Sequence, residues 1–163
     1  MIVKRFEAFN DNYIWGIESD NNYLIVDPGD PEPIINFFQK SKKAKLAGIL
    51  ITHHHHDHVG GIKNLTNKNN FNFFALNKIN FQFPNDNFNK ISDKIPVIGP
   101  IGFDKYGVNY PVKEADNFKF GLINLTVLEI PGHTSNHIGY LCSDNPCDDD
   151  LSIFCGDTLF AGG

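Results

Sequence analysis

Five of the seven histidines in this 163-residue chain fall within six positions, His53, His54, His55, His56 and His58, with Asp57 among them. The segment Thr52-His53-His54-His55-His56-Asp57-His58 has the form T-H-x-H-x-D-H. Imidazole nitrogens and a carboxylate at this density are donors for zinc, iron or manganese, whereas calcium would call for oxygen donors alone. The apolar run 46–52 just before them predicts a short, buried strand. Two residues apart at its end, His53 and His55 would point the same way, and His54 and His56 would turn away from them. Asp57 and His58 fall at the turn into a helix that opens with Gly60-Gly61. Four donors in six residues cannot all serve one tetrahedral ion without severe backbone strain, so the spacing predicts two adjacent ions. An affinity tag does not account for the run, which lies inside the domain and is interrupted by Asp57.

Two further segments offer donors. A strand over 122–129 ends in Ile130-Pro131-Gly132-His133, a turn that presents His133 as a further ligand. His137 begins the next strand, over 137–142, and is expected to support the site by hydrogen bonding. A strand over 152–157 ends at Asp157, whose two oxygens suit it to bridging a pair of ions. Gly156 before it allows close backbone approach, and Cys155 is expected to pack in the core. Asp27, in Asp27-Pro28-Gly29 at the end of another strand, either orients a ligand or closes a turn.

The elements that must position these residues alternate along the first half. Strands are predicted over 2–6, 13–18 and 22–26, with turns at 9–13 and 19–21, where Asn and Asp tolerate tight backbone geometry. Residues 31–43 read as an amphipathic helix with Ile34, Ile35, Phe37 and Phe38 inward. Residues 64–90, rich in Asn and Phe, read as variable surface with a short strand over 71–76. Residues 95–122 are loop-rich, with strand-like pieces at 95–98 and 110–112, and 142–151 forms an acidic hairpin loop. No repeat or linker divides the chain, so 1–163 is expected to be one α/β domain. A hydrophobic content of 41% supplies a core. The net charge of −5 argues against nucleic acid or an anionic membrane as partner. No apolar run approaches the roughly 20 residues of a membrane span, and the opening residues lack the apolar stretch of a signal peptide. Three cysteines without a CxxC make a poor disulfide framework. A cytoplasmic, monomeric protein is the expectation.

Taken together, THHHHDH, PGHT and GDTLF resemble the metallo-β-lactamase superfamily. Ala8-Phe9-Asn10-Asp11-Asn12-Tyr13-Ile14-Trp15, Val26-Asp27-Pro28-Gly29-Asp30 and the closing FCGDTLFAGG narrow the resemblance to the glyoxalase II (hydroxyacylglutathione hydrolase) family within it. The resemblance covers most of the chain and is weak over 64–120. It implies an αβ/βα sandwich with a two-metal site at one sheet edge, incomplete at its C-terminal end. By the resemblance, one ion takes His53, His55, His133 and Asp157, and the other takes Asp57, His58 and the bridging Asp157. The ions would be zinc, with iron or manganese as alternatives. Asp57 and Asp157 would carry the catalytic roles, while Asp27 and His137 support the ligands. One further histidine of the family's second site and its helical substrate-binding domain lie beyond the segment that ends here at Gly163. The implied reaction is hydrolysis of a small glutathione thioester, S-lactoylglutathione to D-lactate and glutathione. A thiolate leaves readily, since a thiol has a pKa of about 8.5, and the lack of an activated Ser or Cys motif fits direct attack by water. Two alternatives stand beside this: a metal-binding chain with little activity, and a superfamily hydrolase acting on a lactam, lactone or phosphodiester.

Overall fold

The first 26 residues form three strands, Ile2–Ala8 (β1), Asn12–Ser19 (β2) and Asn22–Val26 (β3), in a computed structural model that describes residues 1–67, 81–83, 94–144 and 151–160. Each pairs antiparallel with the next. Asp20 and Asn21 make the two-residue β2–β3 turn at φ values of +51° and +60°. Two successive left-handed residues match the twist of a hairpin, and short polar side chains tolerate that geometry best. A helix, Glu32–Lys40 (α1), follows. It begins behind Pro31 and carries Pro33 in its first turn, where a missing N–H costs nothing, and Ile34 and Phe38 are its buried face. It stops short of the 43 expected because Ser41 turns to extended geometry. The turn delivers Lys45 to Asn21, whose carbonyl accepts the Lys45 N–H.

Lys45–Leu50 (β4) runs parallel to β3. Its near-continuous apolar sequence is buried on both faces, as a central parallel strand requires. Two short helices, His56–Val59 (α2) and Ile62–Leu65 (α3), follow the histidine run. The strand expected over 71–76 lies outside the described residues. Phe81–Gln82 (β5), Val97–Pro100 (β6), Tyr110–Val112 (β7), Asn117–Phe120 (β8), Ile123–Glu129 (β9), Ile138–Ser143 (β10) and Ser152–Phe154 (β11) complete the strands. The strand β8 falls where the sequence reads as loop. Asn117, Lys119 and Gly121 dilute its apolar signal, and only pairing with β9 reveals Phe118 and Phe120 as an inward face.

The strands form two sheets. One is mixed and six-stranded, in the order β1-β2-β3-β4-β6-β7; the other is antiparallel, in the order β11-β10-β9-β8-β5. Side chains that alternate along a strand divide between two cores. Tyr23 and Ile25 join Ile34 and Phe38 on the helix side of the first sheet. Leu24 and Val26 face Phe120, Leu125, Val127 and Tyr140 between the sheets. The layers are therefore helix, sheet and sheet: an α/β sandwich. The fully buried Tyr140 donates its hydroxyl to the carbonyls of Ile51, at 2.8 Å, and Ile98, at 3.1 Å. This pins the second sheet to the first just below the histidine run.

Candidate metal centre

The strands β3 and β4 end together, with Val26 paired to Leu50 and Leu50 to Ile98 of β6. Asp27 N–H bonds to the Leu50 carbonyl and Ile51 N–H to the Ile98 carbonyl, both within 2.9 Å. Beyond that edge the chain leaves strand geometry, so 51–55 is a loop and not the strand end the sequence predicts. The loop, not the pleat, brings His53 and His55 together, with His53 Nε2 3.2 Å from His55 Nδ1. His54 does turn away, stacking on Tyr106 with ring centroids 5.8 Å apart, and His56 is exposed. The second sheet meets the same edge where Ile138 N–H bonds to the Thr52 carbonyl. The 130–137 turn then carries His133 Nε2 to 2.9 Å from His55 Nδ1. Asp157 does not end a strand: β11 stops at Phe154, and Asp157 lies in a 3-10 turn, Gly156–Thr158. Gly156 adopts φ +49°, and a Cβ there would lie 2.3 Å from Thr52 Oγ1 and 2.7 Å from His137 Nε2. No larger residue could bring Asp157 this close.

Asp157 faces two groups of donors. Its Oδ2 lies 3.4 Å from His133 Nε2 and 3.9 Å from His53 Nε2, and its Oδ1 lies 3.0 Å from His58 Nε2. His58 Nε2 is also 3.4 Å from Asp57 Oδ2. Donor atoms of His53, His55, His133 and Asp157 all lie within 4.8 Å of one another, as do those of Asp57, His58 and Asp157, and of Asp27, His53 and His58. His55 Nδ1 faces two other imidazole nitrogens and can share a proton with only one. Such convergence of lone pairs with a carboxylate is favourable around a cation, and the two ring nitrogens of buried His58 face carboxylate oxygens on either side, Asp27 Oδ2 at 3.1 Å and Asp157 Oδ1 at 3.0 Å. The donor set fits a divalent metal ion.

Buried groups hold the donors. Asp27 is 5% exposed; its Oδ1 accepts the Thr52 N–H at 2.8 Å and its Oδ2 the Thr52 hydroxyl at 2.6 Å. That Oδ2 also lies 3.1 Å from His58 Nδ1. The loop after Asp27 packs on the backbone of α2: a Cβ on Gly29 would lie 1.8 Å from the Asp57 carbonyl oxygen, and Gly61 N–H bonds to the Pro28 carbonyl. His137 is buried against the His53 ring, centroids 4.6 Å apart, yet neither of its nitrogens has a hydrogen-bond partner among the described residues. It packs on the site, its ring tilted by 34° to that of His53, and does not hydrogen-bond to it. Asn12 carries no signal in composition or periodicity. It donates to Asp57 Oδ2 at 2.8 Å from the start of β2, and the family-like stretch around it was the only pointer.

Burial, reinforced by His58, His137, His55 and His133, pushes the His53 imidazole down to about 2, so it stays neutral. Burial acts the same way on His137. Burial also works against a proton on His58, but Asp27, Asp157 and Asp57 outweigh it and raise the group. Partial burial would raise Asp57; the Asn12 hydrogen bond and His58 overcome it and hold the carboxyl below its ordinary value.

The structure is thus a mixed α/β sandwich with a cluster of His and Asp donors where its two sheets share an edge. The sequence profile of the metallo-β-lactamase superfamily matches residues 10–163, and the chain belongs to that superfamily. Among curated relatives, a hydroxyacylglutathione hydrolase of Shewanella halifaxensis (strain HAW-EB4) is 39% identical over 160 residues, covering 96% of this chain and 50% of the relative. The protein of the same name from Vibrio parahaemolyticus serotype O3:K6 is 37% identical over 163 residues, covering 99% and 52%. The chain thus spans about half the length of the curated relatives it matches. The fold is shared with the crystal structure of ETHE1 from Myxococcus xanthus, at a TM-score of 0.64 and 22% identity over 99% of this chain and 59% of that one. A metallo-β-lactamase from Staphylococcus aureus subsp. aureus COL also matches, at 0.64 and 21% over 99% and 44%. Among the described residues no helix is long and apolar enough to cross a membrane.

Proposed function

We propose that this chain carries the metal centre of a thioester hydrolase that cleaves S-(2-hydroxyacyl)glutathione to glutathione and a 2-hydroxy acid, S-lactoylglutathione to D-lactate being the reference reaction. His53, His55, His133 and Asp157 hold one divalent ion, and Asp57, His58 and Asp157 a second; zinc suits the nitrogen and oxygen donors, as do iron and manganese. The observation that carries this reading is the placement of Asp157, with Oδ2 toward His53 and His133 and Oδ1 toward His58. The substrate class rests on the name shared by the curated relatives. Bound metal supplies Lewis acidity, which polarises a carbonyl and brings the pKa of water near neutrality.

The chain's own residues prepare that site. Burial keeps His53 neutral and its lone pair available. Asn12 fixes the Asp57 carboxylate beside His58. Cys142 supplies no nucleophile, because burial pushes its thiol up to about 12. A thiolate product is a good leaving group, so the chemistry asks little of a protein acid. Elemental analysis of the purified protein beside release of free thiol from S-lactoylglutathione tests both parts. Bound metal with thiol release, and no turnover of a lactam, lactone or phosphodiester panel, supports the proposal. Folded protein that takes up no metal overturns the site. Turnover confined to another member of the panel overturns the substrate.

A further inference from the structure

We propose that Asp27 and Thr52 form a relay that fixes His53 as its Nδ1–H tautomer and leaves the Nε2 lone pair facing the metal centre, Thr52 being a positioning residue. The relay follows from donor and acceptor roles. An ionised carboxylate only accepts. The 2.6 Å contact between Thr52 Oγ1 and Asp27 Oδ2 therefore consumes the single proton of the hydroxyl. Thr52 Oγ1, 3.1 Å from His53 Nδ1, is then left as an acceptor. Nδ1 must supply the proton between them, and Nε2 is the unprotonated nitrogen. That nitrogen is the one directed at His55 Nδ1 and Asp157 Oδ2.

Thr52 is held from three sides. Its N–H bonds to Asp27 Oδ1 and its carbonyl accepts from Ile138 N–H. Its hydroxyl would be 2.3 Å from any Cβ at position 156. Thr52 and His53 are both fully buried, so bulk water does not compete for the bond. A hydroxyl at position 52 is therefore a requirement of tautomer and not of packing: valine has the shape of threonine but neither donates to Asp27 nor accepts from His53.

The inference rests on reading His53 as a ligand, but it is tested first on metal-free protein, so the two fail separately. Long-range ¹H–¹⁵N correlation spectra of chelator-treated protein read the His53 tautomer; competition with a chromogenic chelator reads zinc(II) affinity. The wild type and Thr52→Ser are expected to show the Nδ1–H form, with affinities within a few-fold of each other. Thr52→Val is expected to lose that tautomer and to bind zinc about 10- to 100-fold more weakly, the usual cost of removing a partner that orients a ligand. An Nε2–H form in the wild type overturns the relay, whether or not Thr52→Val folds. So does a Thr52→Val protein that keeps Nδ1–H, even if its affinity falls, since that loss would be structural. A shifted tautomer with unchanged zinc affinity overturns the role in metal binding. A wild type with the Nδ1–H form that binds no zinc supports the relay and overturns the metal-centre reading instead.

Discussion

His133→Ala removes a nitrogen that lies 2.9 Å from His55 Nδ1 and 3.4 Å from Asp157 Oδ2. Metal content, measured by elemental analysis, is expected to fall. His54→Ala removes a ring that stacks on Tyr106 away from the donors, and metal content should hold; equal losses would contradict the division between the two faces of the run. Gly156→Ala tests the approach of Asp157. It places a Cβ against two buried groups at φ +49°, so a loss of about 1–3 kcal/mol is expected from overpacking, with reduced metal content as Asp157 is displaced. Urea denaturation and elemental analysis read the two effects; a stable Gly156→Ala protein with full metal would refute the packing argument.

At the scale of elements, the site depends on two sheets meeting at one edge. Tyr140 links β10 to the residue that follows β4 and to β6 through the Ile51 and Ile98 carbonyls. Tyr140→Phe keeps the ring but removes the buried donor. The expected cost is about 1–3 kcal/mol, the penalty of leaving a buried carbonyl without its partner. Chemical denaturation measures it, and an unchanged midpoint would show that the pin contributes nothing. The elements also differ in how legible they were. The β2–β3 hairpin carries its turn in Asp20-Asn21, and β4 its burial in an unbroken apolar run. By contrast, β8 and the 3-10 turn at Asp157 owe their form to pairing and to close packing against distant residues. Such contacts leave no local pattern.

At the scale of the whole molecule, burying neutral imidazoles links stability to pH. His53 and His137 are both lowered by burial and by neighbouring histidines. Once unfolded they take up protons near pH 6.5. Their contribution is present above that pH and lost as pH falls, by up to about 1.4 kcal/mol per pH unit for each proton. His58 has the opposite sign: its raised pKa gives stability complete below about pH 6.5 and lost as pH rises through its folded value. It therefore adds no slope on the acid side. The melting temperature of chelator-treated protein is expected to drop between about pH 6.5 and 5; a flat profile would refute neutral burial. Zinc should raise the melting temperature at pH 7.5 by mass action, and less at pH 5.5, where protons compete for the imidazoles. An equal rise at both pH values would argue against histidine ligation.

The sequence by itself determined which donors exist and where strands deliver them: the T-H-x-H-x-D-H run after an apolar strand, the turn at His133, and an acid beyond a third strand. Residue type and local periodicity suffice for that, because a buried strand must be apolar and a turn needs residues that tolerate it. Only the tertiary structure decided that His53 and His55 converge through a loop, that Asp157 faces two donor groups from a turn opened by Gly156, and that Asn12, Thr52 and Asp27 secure them. Asn12 lies 45 residues from Asp57, and Asp27 25 from Thr52. Hydrogen bonds across such separations depend on how two sheets and a loop pack, and packing is set by the whole core rather than by any segment of it.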